Sequence, residues 1–125
     1  MTELDDIKRQ QLLDDFGAKV AKARDLALMR AMWALEGSGS HSRNRAKEEL
    51  DSLDEYQRAA VAQLVRASVQ ETLVAFLSLF DKNRESTRIV VKADNVSYDL
   101  NSIRLKMNQS YDELCEEWVR IFSEE

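Results

Sequence analysis

Residues 56–80 read YQRAAVAQLVRASVQETLVAFLSLF, and this stretch decides the fold class. It contains neither Gly nor Pro, the two residues that interrupt helices, and its apolar positions recur at helical spacing. Ser52 followed three residues later by Glu55 has the pattern of a capping box, which predicts a helix over about residues 53–81. In its first half Tyr56, Ala60, Val61, Leu64 and Val65 share a face, with Arg58, Gln63, Arg66 and Gln70 turned away from it. The second half, Leu73 to Phe80, is apolar nearly all round.

An equally long helix is predicted upstream, over about residues 3–36. Thr2 and Asp5 mark its start, and Leu4, Ile7, Leu12, Leu13, Phe16, Val20, Ala23, Leu26, Ala27 and Met29 recur at spacings of three and four. Gly17 interrupts the pattern at a cost of about 1 kcal/mol relative to Ala, which points to a bend or to close packing. From Leu26 to Leu35 only Arg30 breaks the apolar run, so this half is expected to be covered, as core or as interface. Gly37-Ser38-Gly39-Ser40 ends the helix. His41 to Lys47 then read as a solvated basic loop, before Glu48, Glu49 and Asp51 reverse the sign over a possible turn or two of helix.

Each long helix spans about 40 to 50 Å, and an antiparallel hairpin is their simplest packing. Beyond them, Thr87 to Lys92 and Val96 to Tyr98 flank the turn signal Asp94-Asn95, a small β-hairpin over about residues 87–99. Leu100, Ile103, Leu105 and Met107 fit either a continued strand or an irregular helix. Ser110 with Glu113 forms a further capping box, and Leu114, Cys115, Trp118, Val119 and Phe122 recur on one face of a closing helix over about 111–123. The expected architecture is mainly α: two long antiparallel helices, a short β-hairpin and a C-terminal helix, in one domain over residues 1–125.

The chain of 125 residues is 44% hydrophobic and 33% charged, the composition of a folded globular protein. Cys115 is its only cysteine and rules out an internal disulfide. The N-terminus lacks the basic start and uninterrupted apolar run of a signal peptide. The most apolar windows, Ala27 to Leu35 and Leu73 to Phe80, fall short of the roughly 20 residues that span a bilayer. A cytoplasmic location without a membrane anchor is the expectation.

Catalytic chemistry has few parts to draw on. His41 is the single histidine, so His-pair metal sites and a Ser-His-Asp triad with an orienting histidine are incomplete. Cys115 sits beside Leu114 on an apolar face, where a thiol acts as a small hydrophobe. The Gly/Ser tetrad lacks the Gly-Lys-Ser/Thr that would cradle phosphate. The adjacent carboxylates Asp5-Asp6, Asp14-Asp15, Glu48-Glu49 and Glu116-Glu117 point about 100° apart on a helix and form no paired site. No enzyme, cofactor or metal is predicted. Arg43, Arg45 and Lys47 are the best basic cluster, too small against a net charge of −5 to predict direct nucleic-acid binding.

That net charge is concentrated. Residues 108–125 hold Asp112, Glu113, Glu116, Glu117, Glu124 and Glu125 against Arg120 alone, which accounts for all of it. Two readings follow. The helix simply closes the core with Trp118, or its acids and Trp118 together form a docking face for a basic protein. Candidate partner-binding residues are Glu113, Glu116, Glu117, Trp118 and Glu124.

In size, acidity, helix-rich start, short Ile-Val-Val strand and the ending Glu113-Leu114 through Trp118-Val119-Arg120-Ile121-Phe122-Ser123, the chain resembles bacterial toxin-immunity proteins of the contact-dependent, polymorphic-toxin type. The resemblance covers the overall pattern and carries no diagnostic motif. It implies a non-catalytic protein that neutralises a cognate toxin domain, often a basic nuclease, by binding it. Alternatives are a secretion-effector chaperone, or a helical oligomerisation module whose apolar segments are buried between copies in a homo-oligomer.

Overall fold

The protein is described from a computed structural model covering residues 5–36, 47–82 and 87–124. Thr2, Leu4 and the Gly/Ser tetrad with His41, Arg43 and Arg45 lie outside the described residues. The element order is α1 (Asp6–Glu36), α2 (Lys47–Asp51), α3 (Glu55–Lys82), β1 (Val90–Ala93), β2 (Val96–Asp99), α4 (Leu100–Lys106) and α5 (Tyr111–Phe122). The architecture is mainly α, with two long helices, a two-stranded antiparallel hairpin and a C-terminal helix.

Helix α3 is capped by a different box from the one predicted. Asp54 Oδ1 accepts from the Gln57 N–H at 2.8 Å, and Gln57 Oε1 accepts from the Asp54 N–H at 3.0 Å. Asp54-x-x-Gln57 satisfies two otherwise unpaired donors reciprocally, and Ser52 instead donates to the Glu49 carbonyl at the end of α2. The undecided stretch after the hairpin is helix α4. Asp99, the last residue of β2, turns its carboxylate onto the Asn101 N–H at 3.0 Å and so begins the helix where the strand stops. Asn108 ends it in a left-handed conformation, φ 55°, which Asn tolerates better than most residues.

In the hairpin, Asp94 and Asn95 both take positive φ, 53° and 65°, as a two-residue turn matched to strand twist requires. Val91 pairs with Tyr98 and Ala93 with Val96. Val91, Ala93 and Tyr98 turn inward against the core, while Val90 and Lys92 face outward.

The core sits at one end of the long helices. Leu12, Leu13 and Val20 of α1, Leu77 of α3, Leu100 and Ile103 of α4, and Tyr111, Leu114, Cys115 and Trp118 of α5 are buried together. Leu13 shares this core with Leu77 while Ala27 faces residues Leu64 to Leu73, so α1 and α3 run antiparallel. Gly17 is the place where α5 comes closest. A Cβ built there would overlap Cδ1, Nε1 and Cε2 of the Trp118 indole, so of bend and close packing it is close packing that accounts for this glycine. Phe16 meets the same indole edge-on, with ring centroids 5.8 Å apart.

Beyond the level of α5, coverage is partial. Leu28 of α1 is buried, but its neighbours Leu26, Met29 and Trp33 are exposed, so the run from Leu26 onward reaches the core on one side only and is not covered all round as its composition predicts. Tyr56, Ala60 and Leu64 of α3 are exposed too, and Val61 and Val65 are half-buried, so the predicted inward face of that half is split. Ile7 is likewise exposed at the start of α1. The reason is stoichiometric: α4, α5 and the hairpin together cover only one end of the α1–α3 pair.

Candidate functional site

Helix α5 presents the acidic face that the sequence singles out. Ser110 caps it, its Oγ accepting from the Glu113 N–H at 3.2 Å, and Asp112 and Glu113 occupy the first turn, where the helix dipole favours negative charge. Asp112, Glu113, Glu116 and Glu124 are exposed and Glu117 is half-buried. Helical periodicity places Arg120 among these acids, one turn from Glu116, whereas Glu124 follows the extended C-cap Ser123 beyond the end of the helix. Trp118 does not join them. It is 1% exposed and lies in the core against Gly17 and Phe16, so it cannot anchor a docked partner. Ile121, half-exposed at the edge of the acidic face, is the apolar side chain available there, and the sequence reading passed over it.

The acidic face is held by fixed points at each end. At the N-terminal end a buried polar network ties α5 to α3 and α4. Asn101 Nδ2 donates to the Phe80 carbonyl at 2.9 Å, and Asn101 Oδ1 accepts from the Tyr111 hydroxyl. The Phe80 carbonyl belongs to the last turn of α3, where helical carbonyls lack a helical donor, so Asn101 caps that end. The buried Arg104 guanidinium stacks over the Tyr111 ring, 4.8 Å from its centroid, and donates to the Gln109 carbonyl at 2.8 Å.

At the C-terminal end Asp25, in the second half of α1, clasps the end of α5. One oxygen accepts from Ser123 Oγ at 2.7 Å and from Arg24 Nη1 at 3.1 Å, and the other accepts from the Glu124 N–H at 2.9 Å. Burial pushes the Asp25 carboxyl up, but the Glu124 N–H, the Ser123 hydroxyl and the adjacent Arg24 guanidinium outweigh it and hold the group below its ordinary value.

Cys115 is fully buried, and burial, with a smaller contribution from the Asp112 charge, pushes its thiol up to about 11. A thiol so placed is a packing group rather than a nucleophile. Among the described residues no group of three His, Cys, Asp or Glu side chains is close enough to hold a metal ion.

A shallow apolar groove of about 390 Å³ runs between the two long helices, lined by Ala27 of α1 and by Leu64, Val65, Ser68, Val69, Thr72 and Leu73 of α3. Helix α3 is, by length and composition alone, apolar enough to cross a membrane, yet only 6% of its most apolar window is buried. The chain matches no known family model, no curated protein and no solved structure.

Proposed function

We propose that this chain is a non-catalytic protein-binding domain that engages a basic protein through the outer face of α5, in the manner of an immunity protein neutralising a toxin domain. The carrying observation is the exposed carboxylate row of Asp112, Glu113 and Glu116 on a helix whose opposite side is locked into the core, with Glu124 exposed just past its C-terminus. Opposite charge raises the encounter rate, and a rigid presenting helix loses little entropy on docking. Glu117 contributes from the edge of the row and Ile121 adds an apolar contact. Trp118 acts indirectly, by fixing the helix.

The reading is tested by tagging the chain, recovering bound proteins from its native host, and repeating the recovery with Glu116, Glu117 and Glu124 changed to Gln. A basic protein should be retained at low salt by the parent and lost from the triple variant. Expressed alone that protein should arrest growth, and co-expression of the parent should relieve the arrest better than co-expression of the variant. Equal retention by both at low salt would rule the acidic face out.

A further inference from the structure

We infer that the exposed arm of the α1–α3 pair is an interface for a second copy of this chain, two such arms closing face to face into a four-helix bundle. This rests on a different surface from the acidic face of α5 and stands or falls separately. The arm carries the exposed apolar side chains Leu26 and Leu64, the latter 66% exposed, and Phe76 and Leu79, also exposed, continue the open side of α3 toward the core end. Between them lie the small residues Ala23, Ala27, Ser68, Thr72 and Ala75, which let another helix approach closely. An antiparallel helix pair with one open apolar face is half of a four-helix bundle, and a two-fold axis through that face supplies the other half.

The charges on the arm favour a copy over other occupants. The net negative charge of the chain resides in residues 108–125, whereas the arm carries both signs, Arg30, Arg58 and Arg66 against Asp54, Glu55 and Glu71. A strongly charged partner gains nothing there, and like copies do not repel. Glu71 stands exposed within the stripe Tyr56, Ala60, Leu64, Ala67 and Ala75, which is costly against lipid. A two-fold relation removes that cost. Arg30 lies one turn past Ala27 on α1 and Glu71 one turn past Ser68 on α3, and because the helices are antiparallel the two stand toward opposite ends of the groove. The axis through its centre brings each arm's Arg30 to the other's Glu71.

Sedimentation velocity and light scattering over the micromolar range test this on the full chain. The parent should show twice the monomer mass, and the double variant Leu26→Gln/Leu64→Gln should be monomeric with unchanged helical circular dichroism. Ile7→Gln, at the far end of α1, should remain dimeric. Arg30→Glu and Glu71→Arg should each weaken the dimer about tenfold, and combining them should restore it. These charge variants alter exposed positions and stay informative if the leucine variant misfolds. A parent that is monomeric throughout, a dimer that survives in the leucine variant, or a charge pair that fails to restore would each overturn the inference. So would a monomer that floats with phosphatidylcholine/phosphatidylglycerol vesicles, which would make lipid the occupant.

Discussion

Gly17 and Trp118 are complementary as absence and bulk: the indole lies over the one position of α1 that has no side chain, and a methyl group there would occupy the space of the ring. Ala is favoured over Gly by about 1 kcal/mol inside a helix, so Gly17→Ala would stabilise α1 in isolation. In the folded chain it has to displace a rigid, fully buried ring, and overpacking of that kind costs about 1 to 3 kcal/mol or more. Gly17→Ala should therefore lower the unfolding free energy by about 1 to 2 kcal/mol in urea titrations. Adding Trp118→Phe should recover part of the loss, which makes the double variant more stable than the sum of the two single effects. A neutral or stabilising Gly17→Ala would show that α5 does not seat there.

The Asn101 network predicts an order of effects. Tyr111→Phe removes a single hydrogen bond and should cost about 1 to 2 kcal/mol. Asn101→Ala takes that bond from Tyr111 and also the donor from the Phe80 carbonyl, opening a cavity as well, and should cost about 2 to 4 kcal/mol. Chemical denaturation of both variants checks the order. The reverse order would mean that Asn101 does not bridge the helices.

The Asp25 clasp gives acid sensitivity of defined sign. The folded carboxyl titrates below its ordinary value of 3.8, so the stabilisation it provides is complete above that value, where the unfolded chain is also ionised. As pH falls from there through the folded value the unfolded chain binds the proton first and the stabilisation is lost. The stability difference between the parent and Asp25→Asn should be constant from neutral pH down to about 5 and shrink steadily below about 4. A difference that grows on acidification contradicts the clasp.

Cys115 should be silent toward aromatic disulfide reagents at neutral pH while the protein is folded. Its thiol is buried and its titration pushed up to about 11, so modification has to await opening of the α5 packing. The labelling rate should follow the unfolded fraction as urea is raised, and rapid labelling in buffer alone would mean that α5 detaches readily.

Much of this fold was legible in the residues because its long elements carry strong periodic patterns. Asp94-Asn95 between β-branched runs specified the hairpin, and Ser110 with Glu113 specified α5. Helix α4 was not legible, since Leu100, Ile103, Leu105 and Met107 mix spacings of two and three, and the cap that settles the matter, Asp99, is also the last residue of a strand. The α3 cap was misplaced because Ser52-x-x-Glu55 and Asp54-x-x-Gln57 overlap, and a pattern cannot choose between two valid boxes.

The candidate site divided along a similar line. The acidic residues of α5 are surface residues wherever the helix packs, so their exposure could be read from charge alone. Trp118 required knowledge of what stands opposite, and the Gly17 that receives it is some hundred residues away in sequence. For the arm, periodicity reveals which side chains share a face but not whether anything covers it. Leu64 and Leu26 read as interior by spacing and lie at the surface because α4, α5 and the hairpin pack at the other end.

The position of α5 in the chain also sets a schedule for synthesis. Among the described residues, four of the ten that pack together as the core cluster, Tyr111, Leu114, Cys115 and Trp118, belong to α5, and the Asp25 clasp closes on Ser123 and Glu124. A nascent chain still tethered upstream of α5 can pair α1 with α3 but has nothing to place over Gly17, Leu13 or Leu77. Its folding is thus completed only after residues 111–124 have left the ribosome, and until then the helix pair presents apolar surface along its whole length to chaperones and to other nascent chains.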